Sequence, residues 1–325
     1  MAFLTGKTIL VTGGTGSFGK ALVKKLIEDG QAEKIIVFSR DELKQFEMQQ
    51  IFSPKNVSYM LGDVRDFQRL ARVTTGVDVI VHAAAMKQIP AAEANPIEAI
   101  RTNVIGAENI VNASIENNVS HVLALSTDKA ANPANLYGAT KLCSDKLMVG
   151  GNALGGEHGP KFSVVRYGNV LGSRGSVIPF FKEMAKTGSL PITDFRMTRF
   201  WLTIQNGVEF VLNSLEVMHG GEIFVPKIPS FKVTDVASVV CPNIPQAEIG
   251  IRPGEKLHEI MITEDDASFT YEFSDYYTIV APNSRTLQEG GIKVPEGFRF
   301  SSDTNPLWHS HASFKQLLQS NGLLE

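Results

Sequence analysis

The sequence predicts an α/β protein, a doubly wound parallel Rossmann sheet with a smaller C-terminal substrate-binding domain. Three observations carry that expectation. Short β-branched apolar runs alternate with stretches of helical period through the first half, as in a parallel sheet covered on both faces and joined by right-handed crossovers. A glycine-rich turn stands directly between the first such run and the first helical stretch. After Gly168 the alternation stops, and the later text is irregular and richer in Pro and Gly.

Taken in order, Lys7–Thr12, Lys34–Phe38, Val57–Leu61, Val77–His82, His121–Ser126 and Phe162–Arg166 read as strands bounded by Gly, Asp, Asn or Ser. Gly19–Glu28, Arg40–Gln50 and Glu98–Asn117 carry helical periodicity between them. Further on, Ser176–Thr187 and Ile204–Met218 read as helices and Glu222–Val225 as a returning strand. An acidic patch follows at Glu264–Asp266. The expected division gives 1–168 with 198–232 to the nucleotide-binding domain. It gives 169–197 with 233–325 to the smaller one, with no linker between them.

Bulk properties narrow the class. A chain of 325 residues with 43% hydrophobic and 20% charged content is an ordinary globular protein, which excludes disordered and collagen-like classes. A net charge of -3 gives no sign of a nucleic-acid or membrane-surface partner. Cys143 and Cys241 stand far apart without a CxxC spacing. Neither a disulfide framework nor a metal site is expected, and a reducing cytoplasm fits best. The opening MAFLTGKTILVTGG does not read as a signal peptide, and no run approaches the roughly 18 to 20 apolar residues of a membrane span. The sequence is that of a cytoplasmic protein.

The glycine-rich turn is Thr12-Gly13-Gly14-Thr15-Gly16-Ser17-Phe18-Gly19. Glycines at positions 13, 16 and 19 permit a tight turn and let the backbone approach a pyrophosphate at the helix N-terminus. Gly13, Thr15, Gly16, Ser17, Phe18 and Gly19 are therefore the candidate cofactor cradle. The second strand ends Phe38-Ser39-Arg40-Asp41. An acidic residue at the strand tip would bond the ribose 2′-hydroxyl of NAD, whereas Ser39 and Arg40 offer a hydroxyl and a planar cation to the 2′-phosphate of NADP. Lys44 is grouped with them, and Asp41 next door pulls the other way. Asp63 and Val64 end the third strand where an adenine could be received. Ala83, Ala84 and Ala85 supply small residues where a cofactor must lie against the backbone.

The segment His121–Lys141 reads HVLALSTDKAANPANLYGATK. Tyr137 and Lys141 stand four apart at a helix start, so both face one side. Lys141⁺, with the positive nicotinamide ring, would lower the Tyr137 pKa and let the phenol exchange a proton with a substrate hydroxyl. The combination resembles the extended short-chain dehydrogenase/reductase family. In that resemblance Thr127 takes the hydroxyl position that orients the substrate. Asn103 matches a helix Asn near the active site, with a structural cap as the equal alternative.

Asp128 and Lys129 set this text apart. Retaining sugar 4,6-dehydratases carry Asp-Glu at the corresponding place, and STDKAANPANLYGATK is similar to the inverting UDP-N-acetylglucosamine 4,6-dehydratases that open pseudaminic acid biosynthesis. Membrane-anchored relatives share STDKA and GATK but have Met where Tyr137 stands. The resemblance runs from Thr8 to about Trp308. It implies NADP as cofactor, UDP-GlcNAc as substrate and a homo-oligomer, dimer or hexamer. It also implies substrate contacts from Lys87, Asn169, Val177, Pro179, Arg199, Arg252 and Glu255, the last two within the signature RPGEKLHE. In the implied cycle Lys129, if neutral through burial beside the nicotinamide, removes the carbon 5 proton while a protonated Asp128 assists loss of the carbon 6 hydroxyl. A nucleotide-sugar 4-epimerase, which needs no Asp-Lys pair, and an NADP-sensing binding protein are the competing readings. His309 and His311 near the end read as a solvated tail.

Overall fold

A computed structural model describes residues 2–172, 177–281 and 290–324. Six strands follow the order expected: β1 (Thr8–Thr12), β2 (Lys34–Ser39), β3 (Val57–Leu61), β4 (Val79–His82), β5 (His121–Thr127) and β6 (Lys161–Tyr167). They pair in parallel in the spatial order β3-β2-β1-β4-β5-β6, and Glu222–Pro226 extends the parallel set beside β6. β1, β2, β4 and β6 are buried on both faces, which is why they read as continuous rather than alternating apolar runs. The chain leaves β1 toward β2 and later returns on its other side with β4. The carboxyl ends of these two strands frame the crevice where doubly wound sheets take ligands.

Local chemistry fixes the helices around that crevice. Helix α1 (Ser17–Asp29) ends on Gly30, whose φ of 65° is the left-handed conformation that closes a helix. Helix α2 (Glu42–Ile51) is capped by Asp41, whose Oδ1 accepts from the Lys44 backbone N–H at 3.0 Å. Asp41 is thus committed to the helix start. The stretch expected as one helix, Glu98–Asn117, is Pro96–Ile100, a π-helical turn at Arg101–Ile105, and Gly106–Glu116. The inserted residue of such a turn re-aims the side chains around it, and Asn103 lies buried within it.

The smaller lobe has its own core, in which Trp201 and Phe231 meet Phe314 with ring centroids 6.1 and 4.3 Å apart. Its helix Val177–Met184 runs into a 3-10 turn at Ala185–Thr187; the expected start at Ser176 lies outside the described residues. The late sequence does not stay in this lobe. Tyr276–Val280 pairs antiparallel with Glu222–Pro226, and Thr270–Glu272 and Ile292–Lys293 continue outward to complete a ten-stranded sheet. These strands extend the large sheet although the sequence division had placed 233–325 with the smaller part. The end of the chain is docked at His309, which stacks on Phe231 at 4.9 Å, while His311, 3.1 Å from Asp235 at the start of helix His311–Ser320, stays exposed to solvent as expected.

Candidate active site

A cleft of about 930 Å³ runs along the carboxyl ends of the strands, from the glycine loop to the smaller lobe. Every residue expected at the site lines it except Asp63, Asn103 and Pro179.

At the glycine loop, Gly13 has φ +64°, and a Cβ there would lie 2.8 Å from the Ala84 nitrogen. The alanines after β4 are held close by Ala83 N–H donating to the Thr12 carbonyl at 3.2 Å and Ala84 N–H donating to Thr12 Oγ1 at 3.3 Å. A Cβ on Gly19 would meet Gly14 Cα at 2.5 Å, so helix α1 can approach the loop only with glycine there. Gly16 caps α1 without a side-chain bond, and the residues of the first turn, Ser17, Phe18 and Gly19, line the cleft. A glycine cradle under an open helix N-terminus fits a pyrophosphate.

The end of β2 is more committed than the sequence suggests. Ser39 Oγ accepts from Gln45 Nε2 at 3.1 Å, Lys44 pairs with Asp41, and Arg40 lies 3.6 Å from Asp63. Asp63 also pairs with Arg65 at 2.6 Å. Burial would raise its carboxyl, but the bonds from Arg65 and the charge of Arg40 hold it below the usual range. Asp63 therefore positions Arg40 beside the cleft rather than lining it.

In the middle of the cleft, β5 delivers Thr127, which caps the short turn Asp128–Ala130. Thr127 Oγ1 donates to Asp128 Oδ1 at 2.8 Å, and Lys129 Nζ stands 3.0 Å from that same oxygen. Asn135 caps helix Leu136–Gly155 by accepting from Gly138 N–H at 2.8 Å, and its amide donates to the Gly254 carbonyl at 2.8 Å. A Cβ on Gly138 would lie 2.3 Å from the Lys129 carbonyl oxygen. That missing methyl lets the helix start seat against the Asp-Lys turn, and Tyr137 lines the cleft together with Thr127. Lys141 follows one turn on, buried, and donates to Ser144 Oγ at 3.4 Å.

Electrostatics of this group differ from the expectation in two respects. Desolvation pushes the Tyr137 phenol up to about 12, and the opposing pull comes from Lys129 and the Thr127 hydroxyl rather than from Lys141. Burial would lower Lys129, as expected, but the carboxylates of Asp128 and Glu259 outweigh it and hold the ammonium above its ordinary value. Asp128 is fully buried, and burial raises its carboxyl, with Glu259 adding to the effect against the pull of Lys129. Burial lowers Lys141, opposed by Asp145. Asp145 accepts from Ser126 Oγ at 2.7 Å and pairs with Arg166 at 3.3 Å.

Toward the smaller lobe, Asn169 Oδ1 and Glu255 Oε2 are buried and lack a partner among the described residues, while Arg252 pairs with Glu255. Lys87 and Val177 line the cleft; Pro179 is exposed beside it. Arg199 is a brace: its guanidinium donates to the carbonyls of Thr198, Leu257 and Lys256 at 2.7, 3.0 and 3.0 Å. Asn103 is a clamp. Its amide accepts from Met86 N–H at 2.8 Å and donates to the Met86 carbonyl and Thr140 Oγ1, both at 3.0 Å.

Sequence reasoning passed over Glu259 and Lys256. Lys256 Nζ donates to the Ala131 carbonyl at 2.6 Å, and Glu259 Oε1 lies 3.3 Å from Lys129 Nζ. Both belong to the RPGEKLHE signature, which was the signal available.

The parallel sheet, the glycine cradle and the Thr-Tyr-Lys set define a protein of the extended short-chain dehydrogenase/reductase class. The chain belongs to the family described as polysaccharide biosynthesis protein, whose model matches residues 9–281. It is 56% identical over 326 residues to a UDP-N-acetylglucosamine 4,6-dehydratase (inverting) of Campylobacter jejuni, covering 96% of each chain. It is 40% identical to a UDP-glucose 4-epimerase of Rickettsia canadensis, over 84% of this chain and 82% of that one. Among solved structures, Pen from Bacillus thuringiensis superposes with a TM-score of 0.92 at 34% identity, covering 99% of this chain and 100% of that one. Among the described residues, no helix is long and apolar enough to cross a membrane.

Proposed function

We propose that the protein is an NADP-dependent UDP-N-acetylglucosamine 4,6-dehydratase that inverts carbon 5 and gives UDP-2-acetamido-2,6-dideoxy-β-L-arabino-hex-4-ulose, the first step of pseudaminic acid biosynthesis. The reading includes the cytoplasmic setting and homo-oligomeric state expected from the sequence. The observation that carries it is the Asp128–Lys129 pair, 3.0 Å apart in the cleft on the turn that follows Thr127. Exchange of a hydroxyl proton at carbon 4 needs only Tyr137 and its neighbours. Elimination of water needs in addition a base for one carbon and an acid for the next.

Gly13, Gly16, Gly19 and the first turn of α1 would hold the dinucleotide, with Ser39, Arg40 and Lys44 at its 2′-phosphate. When bound, its nicotinamide supplies the acceptor and later the donor of hydride. Tyr137 moves the proton of the carbon 4 hydroxyl, and the ketone so formed acidifies carbon 5. The Asp128–Lys129 pair then works as one unit. Passing the shared proton to Asp128 leaves Lys129 as a free amine and Asp128 as an acid, the two forms elimination requires. Lys129 takes the carbon 5 proton, the electron pair moves toward the carbonyl, and the carbon 6 hydroxyl leaves as water with the proton of Asp128.

The test is incubation with UDP-GlcNAc in deuterated water, followed by NMR. The expected product is a 4-keto-6-deoxy sugar with deuterium and the L configuration at carbon 5, and with the former carbon 4 hydrogen at carbon 6. Retention of the D configuration removes the inverting assignment. Interconversion of carbon 4 epimers without loss of water makes the protein an epimerase.

A further inference from the structure

We propose that Glu259 is a third ionisable member of the Asp128–Lys129 site, a positioning residue that holds the Lys129 amine against Asp128 and fixes how many protons the pair carries. This rests on the dehydratase reading and assigns a role to a residue that reading does not use.

The geometry is specific. Lys129 Nζ is flanked by two carboxylates, Asp128 Oδ1 at 3.0 Å and Glu259 Oε1 at 3.3 Å. The second does not come from the catalytic turn but from the far end of the RPGEKLHE segment. Its backbone is locked: Glu259 N–H donates to Ser302 Oγ at 2.9 Å, and its carbonyl accepts from Ser302 N–H at 2.8 Å and from Ser301 Oγ at 3.3 Å. Glu259 is 2% exposed, its Oε1 also lies 3.5 Å from Arg199 Nε, and its Oε2 is buried without a partner among the described residues. A carboxylate taken out of water at such cost persists only where its charge is used or balanced.

The charges facing Lys129 are Asp128 on its own turn, Glu259 and Lys256 on the segment, Arg199 on the strand Thr198–Leu202, and Tyr137 across from it as a neutral phenol. Lys129, Arg199 and Lys256 keep Glu259 ionised against the effect of burial. A fixed anion beside a proton-sharing pair raises the proton affinity of both partners. With Glu259 charged, the pair keeps one proton to share. Without that charge, the pair loses it at lower pH, and no acid is left for the departing hydroxyl.

The experiment is the pH dependence of kcat for Glu259→Gln and Glu259→Asp, with the carbon-13 titration of Lys129 in [ε-13C]lysine-labelled protein, its signal identified by its loss in Lys129→Met. For Glu259→Gln, the whole bell of kcat against pH moves acidward by about one unit or more, since an anion in contact has been removed, while KM for the nucleotide-sugar stays within about threefold. The Lys129 signal titrates at correspondingly lower pH. Glu259→Asp keeps the charge one methylene back, so its bell stays in place and loses height. A bell and a titration midpoint that do not move in Glu259→Gln overturn the proposal. If the glutamine variant does not fold, unchanged kcat in Glu259→Asp overturns it. Absence of turnover of UDP-GlcNAc by the unaltered protein strikes the dehydratase reading instead, and the lysine titration still decides the role of Glu259.

Discussion

At the Arg40 end of the cleft the charges stand in solvent, whereas at the Lys129 end they are enclosed. The Arg40 side chain is 56% exposed and reaches Asp63 only at 3.6 Å. Those of Asp128 and Glu259 are 1% and 3% exposed, with Lys129 between them. An exposed pair contributes about 0–1 kcal/mol, because water and salt screen it. A buried pair that loses one partner costs about 3–5 kcal/mol, because the remaining charge cannot be rehydrated. Selectivity for the cofactor can thus be adjusted in small steps, while the proton chemistry is held in an arrangement that fails as a whole.

Lys129→Ala tests that contrast at its strongest. It leaves two buried carboxylates facing each other, so stability falls by about 3–5 kcal/mol in denaturant unfolding. Product formation falls by about 10²–10⁴-fold, while exchange of the carbon 4 hydrogen with the nicotinamide persists. Full activity by NMR would reduce the pair to a structural one. For Tyr137→Phe, the phenol is removed but the ring and its packing remain. The expected result is a kcat lower by about 10²–10⁴-fold with KM changed no more than about threefold, measured by steady-state kinetics; unchanged turnover takes Tyr137 out of the chemistry. The smallest effect belongs to Arg40→Ala. Preference for NADP over NAD, measured by calorimetric titration, drops by roughly fivefold, as for one exposed ion pair, and stability shifts by less than about 0.5 kcal/mol. A preference that survives intact would move recognition of the 2′-phosphate to Lys44 or Ser39.

The two ends also differ in how readily the sequence shows them. The glycine loop is legible because its determinants are adjacent: strand, glycines and helix follow one another within the first 29 residues. The strands β1, β2, β4 and β6 are legible for the same reason, since burial on both faces writes itself into short apolar runs. Asp128, Tyr137 and Lys141 form another local group and are read from one segment. Glu259 arrives from a segment far along the chain, so the sign of the Lys129 shift could not be read from His121–Lys141 alone. The antiparallel strands from Thr270 to Lys293 were hidden likewise, because their partners are strands far from them in the chain. Asp41 shows the opposite case: a carboxylate beside Arg40 that argues against NADP in the text is, in the fold, a helix cap.

The RPGEKLHE segment lines the cleft from Arg252 to Glu259. Arg252 and Glu255 face the side assigned to the nucleotide, while Lys256 holds the Ala131 carbonyl and Glu259 reaches Lys129. In the proposed reading, the grip on the unreactive half of the ligand and the alignment of the reacting groups are carried by one short beam. Binding energy from the uridine diphosphate is then spent on rate as well as on retention. A bare N-acetylglucosamine, even at saturating concentration, would turn over slowly, because without the diphosphate nothing anchors its reacting carbons against the groups the beam already holds in place.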